Sequence, residues 1–342
     1  MSDKITIAVD AMGGDNSPEK VIKGISLHSS RAKNIVYNIF GNKNLINPLL
    51  NLNKINNEYK IIHTDQQITN EDSALGAAKK GRTTSMWLAI DSVKKMESDI
   101  VVSAGNTGAL FVIAKLNLDM IENIDKPALS GLWPSKKGMS VVLDLGANID
   151  CSEKNFIQFS KIGSQLFSVL FSVTKPKVGL LNIGSEEIKG NETLKSTNSE
   201  LTKKIFTFNY IGYVEGSDIT KGIVDVVVTD GFTGNIALKT AEGTAKLYQS
   251  HLNSAYQSSF ISKFGYLLSS IALKSVKERL DPRVHNCGIF MGLNALVVKC
   301  HGQSEFKGIS YASDIIYSLL ENDVNEKIKK YMIETHSEIA IK

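Results

Sequence analysis

The residues best suited to chemistry lie in short glycine-containing segments that follow apolar, strand-like runs. The clearest segment is residues 229–235 (TDGFTGN), which follows the apolar run 223–228. Glycine permits a tight turn, and the residues from Ile236 onward have the periodicity of a helix. Backbone N–H groups and polar side chains therefore gather where a strand ends, which is where open α/β sheets bind ligands.

The same arrangement occurs at four other predicted strand ends. These segments are residues 10–15 (DAMGGD), 103–108 (SAGNTG), 144–148 (DLGAN) and 183–192 (IGSEEIKGNE). One such segment is weak support for a site, because turns favour Gly, Asn and Asp in any protein. Five of them at the same point of a strand–helix unit predict a shared site, because parallel strands would bring them to one edge of the sheet.

The chemistry available to this site is limited by the motifs that the chain lacks. It has no Gly-x-Gly-x-x-Gly after the first strand, no P-loop, no His-Glu-x-x-His and no Gly-x-Ser-x-Gly. No covalent nucleophile stands out, and we expect neither a metal nor a cofactor. The remaining groups are backbone N–H groups, amides, hydroxyls, a lysine and carboxylates. They suit binding of an oxyanion such as phosphate and stabilisation of charge on a carbonyl.

Composition predicts a globular protein of one large α/β domain or two smaller ones. The chain has 342 residues, 42% of them hydrophobic, and a net charge of +4. Basic and acidic residues are mixed, which does not indicate nucleic-acid binding but suits an acidic partner or an anionic membrane surface. Cys151, Cys287 and Cys300 have neither disulfide-framework nor zinc-site spacing, which favours a reducing cytosol. We expect no signal peptide and no membrane span.

Strand and helix signals alternate along most of the chain. Strands are predicted at residues 5–9, 35–40, 59–63, 99–102, 139–143, 178–182 and 292–299. Ser17 and Pro18 predict the N-cap and first residue of the first helix. Lys79, Lys80 and Arg82 precede a Thr-Thr-Ser cap, and a solvated basic face is the simpler interpretation of these three residues.

Residues 236–281 are predicted to be helical, with little strand signal. Phe260, Phe264, Leu267, Leu268 and Ile271 recur at helical spacing and are flanked by lysines. Core packing or a dimer interface is the more ordinary interpretation. The alternative is a membrane-surface contact, for which we expect Phe260, Ile261, Phe264, Leu267 and Leu268.

Taken together, these motifs resemble the phosphate acyltransferase family of bacterial phospholipid synthesis (PlsX). The matching segments are residues 8–15, 103–108, 189–192, 230–235, 281–283 and 292–294, with His301 and Gly302. They extend from the first strand nearly to the end of the chain, and the first octet is the most specific of them.

The resemblance implies transfer of a fatty acyl group from acyl carrier protein to inorganic phosphate. The acyl phosphate would serve a membrane glycerol-3-phosphate acyltransferase. The implied fold is a three-layer α/β/α sandwich with a mostly parallel, Rossmann-like sheet, as in isocitrate and isopropylmalate dehydrogenases and phosphotransacetylases. We expect one domain over residues 1–342 with a helical excursion at about 240–281. A homodimer attached peripherally to the inner face of the cell membrane is also implied.

The resemblance also assigns site residues. Lys189 would offset negative charge and Asn235 would donate to the developing oxyanion, so both are expected to be catalytic. The glycine segments themselves supply the expected substrate-binding and phosphate-binding residues, which are Asp10, Gly13, Gly14, Asp15, Ser103, Gly105, Asn106, Thr107, Asp144, Asn148, Asp230 and Gly234. Asn16-Ser17-Pro18 stands where the family often has His-Ala-Pro, so we assign no acid–base role there. Arg82 and His301 receive no role.

Two alternatives remain open. The glycine segments alone also fit a phosphotransacetylase-like enzyme that uses acyl-CoA. A non-catalytic scaffold that binds acyl carrier protein and membrane is the second alternative. Without the resemblance, Lys189 would be interpreted as a surface lysine and Asn235 as a helix N-cap.

Overall fold

Eleven strands form one continuous mixed sheet in the computed structural model, which describes residues 4–279, 287–300 and 306–340. The strands are β1 (Ile5–Asp10), β2 (Ile35–Gly41), β3 (Glu58–His63), β4 (Ile100–Ser103), β5 (Ala128–Ser135), β6 (Gly138–Leu143), β7 (Lys177–Leu181), β8 (Asn209–Val214), β9 (Val226–Val228), β10 (Cys287–Met291) and β11 (Leu296–Cys300). The helices are α1 (Glu19–Ser29), α2 (Lys43–Leu52), α3 (Ala74–Lys79), α4 (Ser85–Lys94), α5 (Thr107–Leu118), α6 (Glu153–Phe171), α7 (Glu192–Lys203), α8 (Gly216–Lys221), α9 (Gly231–Gln257), α10 (Phe260–Arg279), α11 (Phe306–Glu321) and α12 (Val324–Ala340).

The sheet has two parallel halves that run in opposite directions. Its strand order is β3-β2-β1-β4-β11-β10-β5-β6-β9-β7-β8. The first five strands are parallel to one another, as are the last four. Three successive antiparallel pairings, β11 with β10, β10 with β5 and β5 with β6, reverse the direction between the halves. The prediction that parallel strands carry all five glycine segments to one edge is therefore wrong.

Four of the five segments nevertheless begin at, or within two residues of, one row that crosses the sheet, whereas the segment 183–192 begins four residues beyond Gly179, the residue of β7 in that row. Lateral pairing links Asp10, Ser103, Lys299, Gly288, Gly131, Val142 and Val227. Asp10 and Ser103 end β1 and β4, whereas Leu143 and Val228 end β6 and β9 one residue beyond the row. The two halves are staggered, so strands arriving from opposite directions end at the same row. Stagger, rather than common direction, brings the loops together.

Helices cover both faces of the sheet. Ile7 and Val9 point into one hydrophobic core and Ala8 into the other, because side chains alternate between the two faces of a strand. Helices α1, α6, α11 and α12 cover the first core, and α4 and α5 cover the second. The structure therefore has the predicted α/β fold with a mostly parallel sheet between helical layers.

Two local predictions are wrong. Residues 292–299 do not form one strand, because β10 ends at Met291 and Gly292, with φ of +92°, turns the chain into the antiparallel β11. Ser17 does not cap α1, because its Oγ donates to the carbonyl oxygen of Gly13 at 2.6 Å, and the helix begins after Pro18. The motif residues 281–283 and 301–302 lie outside the described residues.

The predicted helical segment forms two helices, α9 and α10, which contact each other. The rings of Tyr256 and Tyr266 meet with centroids 5.2 Å apart. Gly231 and Gly234, both in the first turn, are the buried residues of α9. Within the described parts of the chain, no helix has the length and apolar character needed to cross a bilayer.

Candidate functional site

Asp10 is the buried centre of the first loop cluster. Its carboxylate accepts hydrogen bonds from Ser85 Oγ and Ser103 Oγ, each at 2.7 Å, and from Met12 N at 3.3 Å. Burial raises the pKa of Asp10, whereas these hydrogen bonds and the charge of Lys299 act in the opposite direction. Since Asp10 is only 1% exposed, it holds the loops after β1 and β4 in place.

The glycines let these two loops pack closely. A Cβ added to Gly13 would lie 2.6 Å from Asp10 Oδ2 and 2.7 Å from Gly105 N. Gly14 has φ of +84°, in the left-handed region that favours glycine. The structure thus brings together the predicted residues Asp10, Gly13, Gly14, Ser103 and Gly105. The remaining member of the first segment, Asp15, accepts a hydrogen bond from Asn70 at 2.8 Å.

Asn106 is the N-cap of α5. Its Oδ1 accepts a hydrogen bond from Ala109 N at 3.1 Å, and its Nδ2 donates to the carbonyl oxygen of Asp72 at 2.9 Å. Both ends of the amide are therefore occupied in fixing the helix and the preceding loop. Thr107, the first residue of α5, lines a cavity, so the helix N-terminus borders that space. Helix N-termini attract anions through free N–H groups and the helix dipole.

Asp144 is the centre of a second loop cluster. Its carboxylate accepts hydrogen bonds from the backbone N–H groups of Leu129, Gly146, Ala147 and Asn148 and from Asn148 Nδ2, at 2.7 to 3.1 Å. Burial raises the pKa of Asp144, and the hydrogen bonds oppose that shift. Asn148 also donates to the Pro127 carbonyl oxygen at 2.7 Å. Asp144 and Asn148 therefore hold the loop after β6 rigid.

The first turn of α9 packs directly on this loop. Asp230 caps the helix by accepting hydrogen bonds from Thr233 N at 2.7 Å and Thr233 Oγ1 at 2.9 Å. Gly231 N donates to the carbonyl oxygen of Asn148 at 2.7 Å. A Cβ added to Gly234 would lie 1.9 Å from the Asp144 carbonyl oxygen. The predicted residues Asp144, Asn148, Asp230 and Gly234 thus form one contiguous structure.

Asn235 is placed beside the cavity by that structure. Asp230 is the helix N-cap, so the alternative that Asn235 caps the helix is wrong. Asn235 lies against Gly146, whose φ is +134° and whose added Cβ would lie 3.5 Å from Asn235 Cβ. Among the described residues, none forms a hydrogen bond with the Asn235 amide. Its donors are therefore available to a ligand.

The cavity has a volume of about 820 Å³ and mainly apolar walls. Strand β5 contributes Leu132 and Trp133, and α9 contributes Leu238, Ala241 and Ala245. Its polar residues include Thr107, Asn235, Lys239, Glu242 and Lys299. The cavity therefore combines space for an apolar chain with a small set of hydrogen-bond donors and cations.

Lys189 is not brought to this cavity. It is exposed in the loop between β7 and α7, and its backbone N–H donates to the Glu186 carbonyl oxygen at 3.0 Å. Strand β7 is the neighbour of β9, which precedes α9. The loop is shaped by Gly190, with φ of +88°, and by Asn191, which caps α7. A catalytic role for Lys189 stays a prediction.

Two buried lysines near the cavity and the first loop cluster were not among the predicted site residues. Lys299 is only 6% exposed and lines the cavity, and burial lowers its pKa to about 8. Lys20 is buried close to Gly14, and burial lowers its pKa as well. The available signal for Lys299 was a charged residue inside the apolar run 296–300 (LVVKC).

The adjacent Cys300 pairs with Cys287 across β10 and β11, with the two free sulfurs 3.9 Å apart.

The apolar residues predicted to contact a membrane all lie on the surface of α10. Exposure is 87% for Phe260, 83% for Ile261, 57% for Phe264, 67% for Leu267 and 72% for Leu268. Packing into the core of a single chain is therefore wrong as an explanation for these five residues. The explanation that is left for their exposure is a contact with another molecule or with a lipid surface.

Known proteins and a family model match this chain over nearly its whole length. The family model described as "Fatty acid synthesis protein" matches residues 5–327. The phosphate acyltransferase of Pelagibacter ubique is 54% identical over 330 residues, covering 96% of this chain and 99% of that protein. The phosphate acyltransferase of Parvibaculum lavamentivorans is 46% identical over 330 residues, covering 96% and 91%.

Solved structures show the same fold. A phosphotransacetylase from Streptococcus pyogenes matches with a TM-score of 0.60 and 14% identity, covering 92% of this chain and 93% of that one. The EutD phosphotransacetylase from Staphylococcus aureus matches with a TM-score of 0.55 and 13% identity, with the same coverage of each chain. These likenesses concern the fold alone. The likeness to isocitrate and isopropylmalate dehydrogenases stays a prediction.

Proposed function

This chain belongs to the fatty acid synthesis protein family, and we propose that it transfers a fatty acyl group from acyl carrier protein to inorganic phosphate. The observation that carries the proposal is the cavity of about 820 Å³, whose apolar walls meet Asn235 and Lys299. Each buried methylene of an acyl chain contributes roughly 0.8 kcal/mol, so such walls favour a long chain over an acetyl group.

The reaction needs no nucleophile from the protein. A phosphate oxygen attacks the thioester carbonyl carbon, the C–S bond breaks, and the carrier thiolate leaves as acyl phosphate forms. A thiol has a pKa of about 8.5, so it leaves as an anion without a strong general acid. The protein must orient the two substrates and stabilise the charge that develops on the carbonyl oxygen.

Asn235 is the residue best placed to stabilise that charge. Its amide lines the cavity and is fixed by the packing of α9 on the loop after β6. Asn235 is exposed in the free chain, so its amide becomes a strong donor once a bound acyl substrate excludes water from this part of the cavity. We assign Asn235 to the thioester oxyanion.

Lys189 is assigned to the charge of the incoming substrates. Its side chain is exposed, and among the described residues no ion pair occupies it. It lies in the loop after β7, next to the strand that leads into α9. A cation there would attract phosphate and the acidic carrier protein toward the site, and it would offset negative charge as phosphate meets the thioester.

The helices α9 and α10 are proposed to bring the enzyme to its other partners. The exposed apolar residues of α10, from Phe260 to Leu268, fit contact with a second copy of the chain and with an anionic membrane. Attachment to the cytoplasmic membrane face would deliver acyl phosphate to a membrane glycerol-3-phosphate acyltransferase. The chain also shares its fold with solved phosphotransacetylases.

The donor is tested by measuring thiol release from long-chain acyl carrier protein and from acetyl-CoA, each with and without phosphate. We expect phosphate-dependent release from the long-chain carrier substrate. Faster release from acetyl-CoA would favour the phosphotransacetylase-like alternative. Binding of the carrier protein with no thiol release under any condition would favour a non-catalytic scaffold.

A further inference from the structure

Lys299 is a buried cation that faces the cavity. It is the penultimate residue of β11, is 6% exposed and lines the same space as Thr107 and Asn235. Its ammonium donates to the carbonyl oxygen of Cys300. An ammonium group has three donors, so this bond leaves donors for another partner.

Little of the negative charge around this cavity balances Lys299, because the carboxylate of Glu242, which also lines the cavity, is paired with Lys239 at 2.9 Å. In the described parts of the chain, no carboxylate forms an ion pair with it. Its charged neighbours include the cations Lys20 and Lys239, and the nearby thiols belong to Cys287 and Cys300. Asp10 interacts with Lys299 electrostatically, but its carboxylate is buried in the first loop cluster. A buried charge without a close partner is costly, so an anionic ligand would relieve that cost.

A second feature at the same place also attracts anions. Lys299 pairs laterally with Ser103, and α5 begins at Thr107, just after that strand end. The N-terminus of α5 is fixed by the Asn106 cap, and Thr107 shares the cavity with Lys299. A buried cation and a helix N-terminus on one cavity form the two parts of an oxyanion site.

We propose that Lys299 and the N-terminus of α5 bind the inorganic phosphate, while Asn235 faces the thioester carbonyl from another wall of the cavity. The identity of the anion rests on the proposed function. This assignment separates the two charges of the reaction, because phosphate and the developing oxyanion each receive their own donor. It does not use the side chain of Asn106, one of the residues expected to bind phosphate, because both ends of that amide are already occupied.

The binding of phosphate to Lys299→Met tests the proposal by isothermal titration with inorganic phosphate alone. Methionine keeps most of the side chain's length and removes the charge. We expect phosphate affinity to fall roughly 10-fold to 100-fold, the scale of one hydrogen bond to a charged group. Lys246→Met removes an exposed cation from α9, outside the cavity lining, and should leave phosphate affinity unchanged.

A kinetic measurement separates positioning from structural damage. In Lys299→Met, the KM for phosphate should rise by the same factor, while the KM for the acyl carrier substrate stays within about twofold. Lys299→Gln provides a second neutral variant, and circular dichroism checks that each variant is folded. Wild-type phosphate affinity in either folded variant would overturn the proposal.

A measurement on the unaltered protein covers the case in which both variants fail to fold. Phosphate should slow the labelling of Lys299 by a small amine-reactive reagent, mapped by mass spectrometry, and leave Lys246 labelling unchanged. Equal labelling of Lys299 with and without phosphate would overturn the site. If phosphate binding depends on Lys299 but no thiol release occurs in the wild-type protein, the site stands and the proposed function fails.

Discussion

Gly234 approaches Asp144 so closely that a Cβ at position 234 would lie 1.9 Å from the Asp144 carbonyl oxygen. This contact sets the first turn of α9 directly on the loop after β6. Since Asn235 is the next residue along the chain, the contact also determines where its amide meets the cavity. The backbone geometry of residues 144 and 234 therefore positions the residue that we propose to be catalytic.

Replacing Gly234 with alanine should displace α9 and reduce both stability and activity. The clash involves a backbone atom, so overpacking is expected to cost about 1 to 3 kcal/mol in the free energy of unfolding. Urea unfolding and thiol release measure the two effects. Gly243→Ala is the matched control in the same helix, because nothing lies within 4 Å of its added Cβ. That control should raise stability by up to about 1 kcal/mol, and equal effects of the two substitutions would contradict the account.

Replacing Asn235 with alanine should reduce kcat roughly 100-fold to 1000-fold, the scale of losing one oxyanion donor. The KM for phosphate should change little, because Lys299 rather than Asn235 is assigned to phosphate. Steady-state kinetics of thiol release measure both quantities. Thr240→Ala, on the exposed side of α9, should retain normal turnover. Near-normal kcat in folded Asn235→Ala would remove Asn235 from the mechanism.

Replacing Lys189 with alanine should also reduce turnover by roughly 100-fold to 1000-fold if its charge meets the substrates in the transition state. The folded structure should be unaffected, because the side chain is exposed. Lys203→Ala, at an exposed position of α7, is the control for the loss of one positive charge. If Lys189→Ala and Lys203→Ala have the same turnover, Lys189 is a surface lysine.

The exposed face of α10 should bind anionic liposomes. Changing Phe264 to serine and Leu268 to glutamate removes apolar area from that face, so co-sedimentation with the liposomes should be lost while thiol release in lipid-free buffer is retained. Leu52→Ser with Ile205→Ser removes exposed apolar residues from other surfaces and serves as the control. Unchanged sedimentation of the α10 variant would reject this surface.

His28 should make the protein less stable in mild acid. Its Nδ1 lies 2.6 Å from Tyr37 Oη, its Nε2 lies 3.6 Å from Asp314, and burial lowers its pKa to about 4 against the opposing charge of Asp314. The nearby Arg31 lowers this pKa further. Because the folded pKa is below the unfolded value of about 6.5, this stability is present above pH 6.5 and is lost toward pH 4, by at most about 3 kcal/mol.

Urea unfolding of the wild-type protein and of His28→Asn at pH 7 and pH 4.5 checks the direction of this change in the free energy of unfolding. The variant lacks the His28 imidazole but keeps all the other titrating groups, so its unfolding free energy should fall less than that of the wild type between the two pH values. An equal fall in both proteins would show that other groups dominate the acid response.

The parts of the fold that local sequence determines were predictable. β1 ends at Asp10, one residue beyond the predicted strand 5–9, and its loop meets the loop after β4, because apolar periodicity and glycine-rich turns are local signals. The reversal between β11 and β6 was not predictable, because strand direction there depends on pairing between distant segments. The strands β5, β8 and β10 were missed as well.

The candidate site was likewise predictable from local sequence only in part. Asp144, Asn148, Asp230 and Gly234 were named from their turn chemistry, and the structure joins them through direct contacts. Lys299 was missed because its importance comes from burial in a cavity shared by β5, β11 and α9, which only the tertiary structure reveals.

The most direct test of the account is the stoichiometry between phosphate consumption and release of the carrier thiol. With long-chain acyl carrier protein as donor, we predict one thiol released for each phosphate converted to acyl phosphate, and no thiol release without phosphate. Thiol release at the same rate without phosphate, or with free fatty acid as its product, would contradict acyl transfer to phosphate.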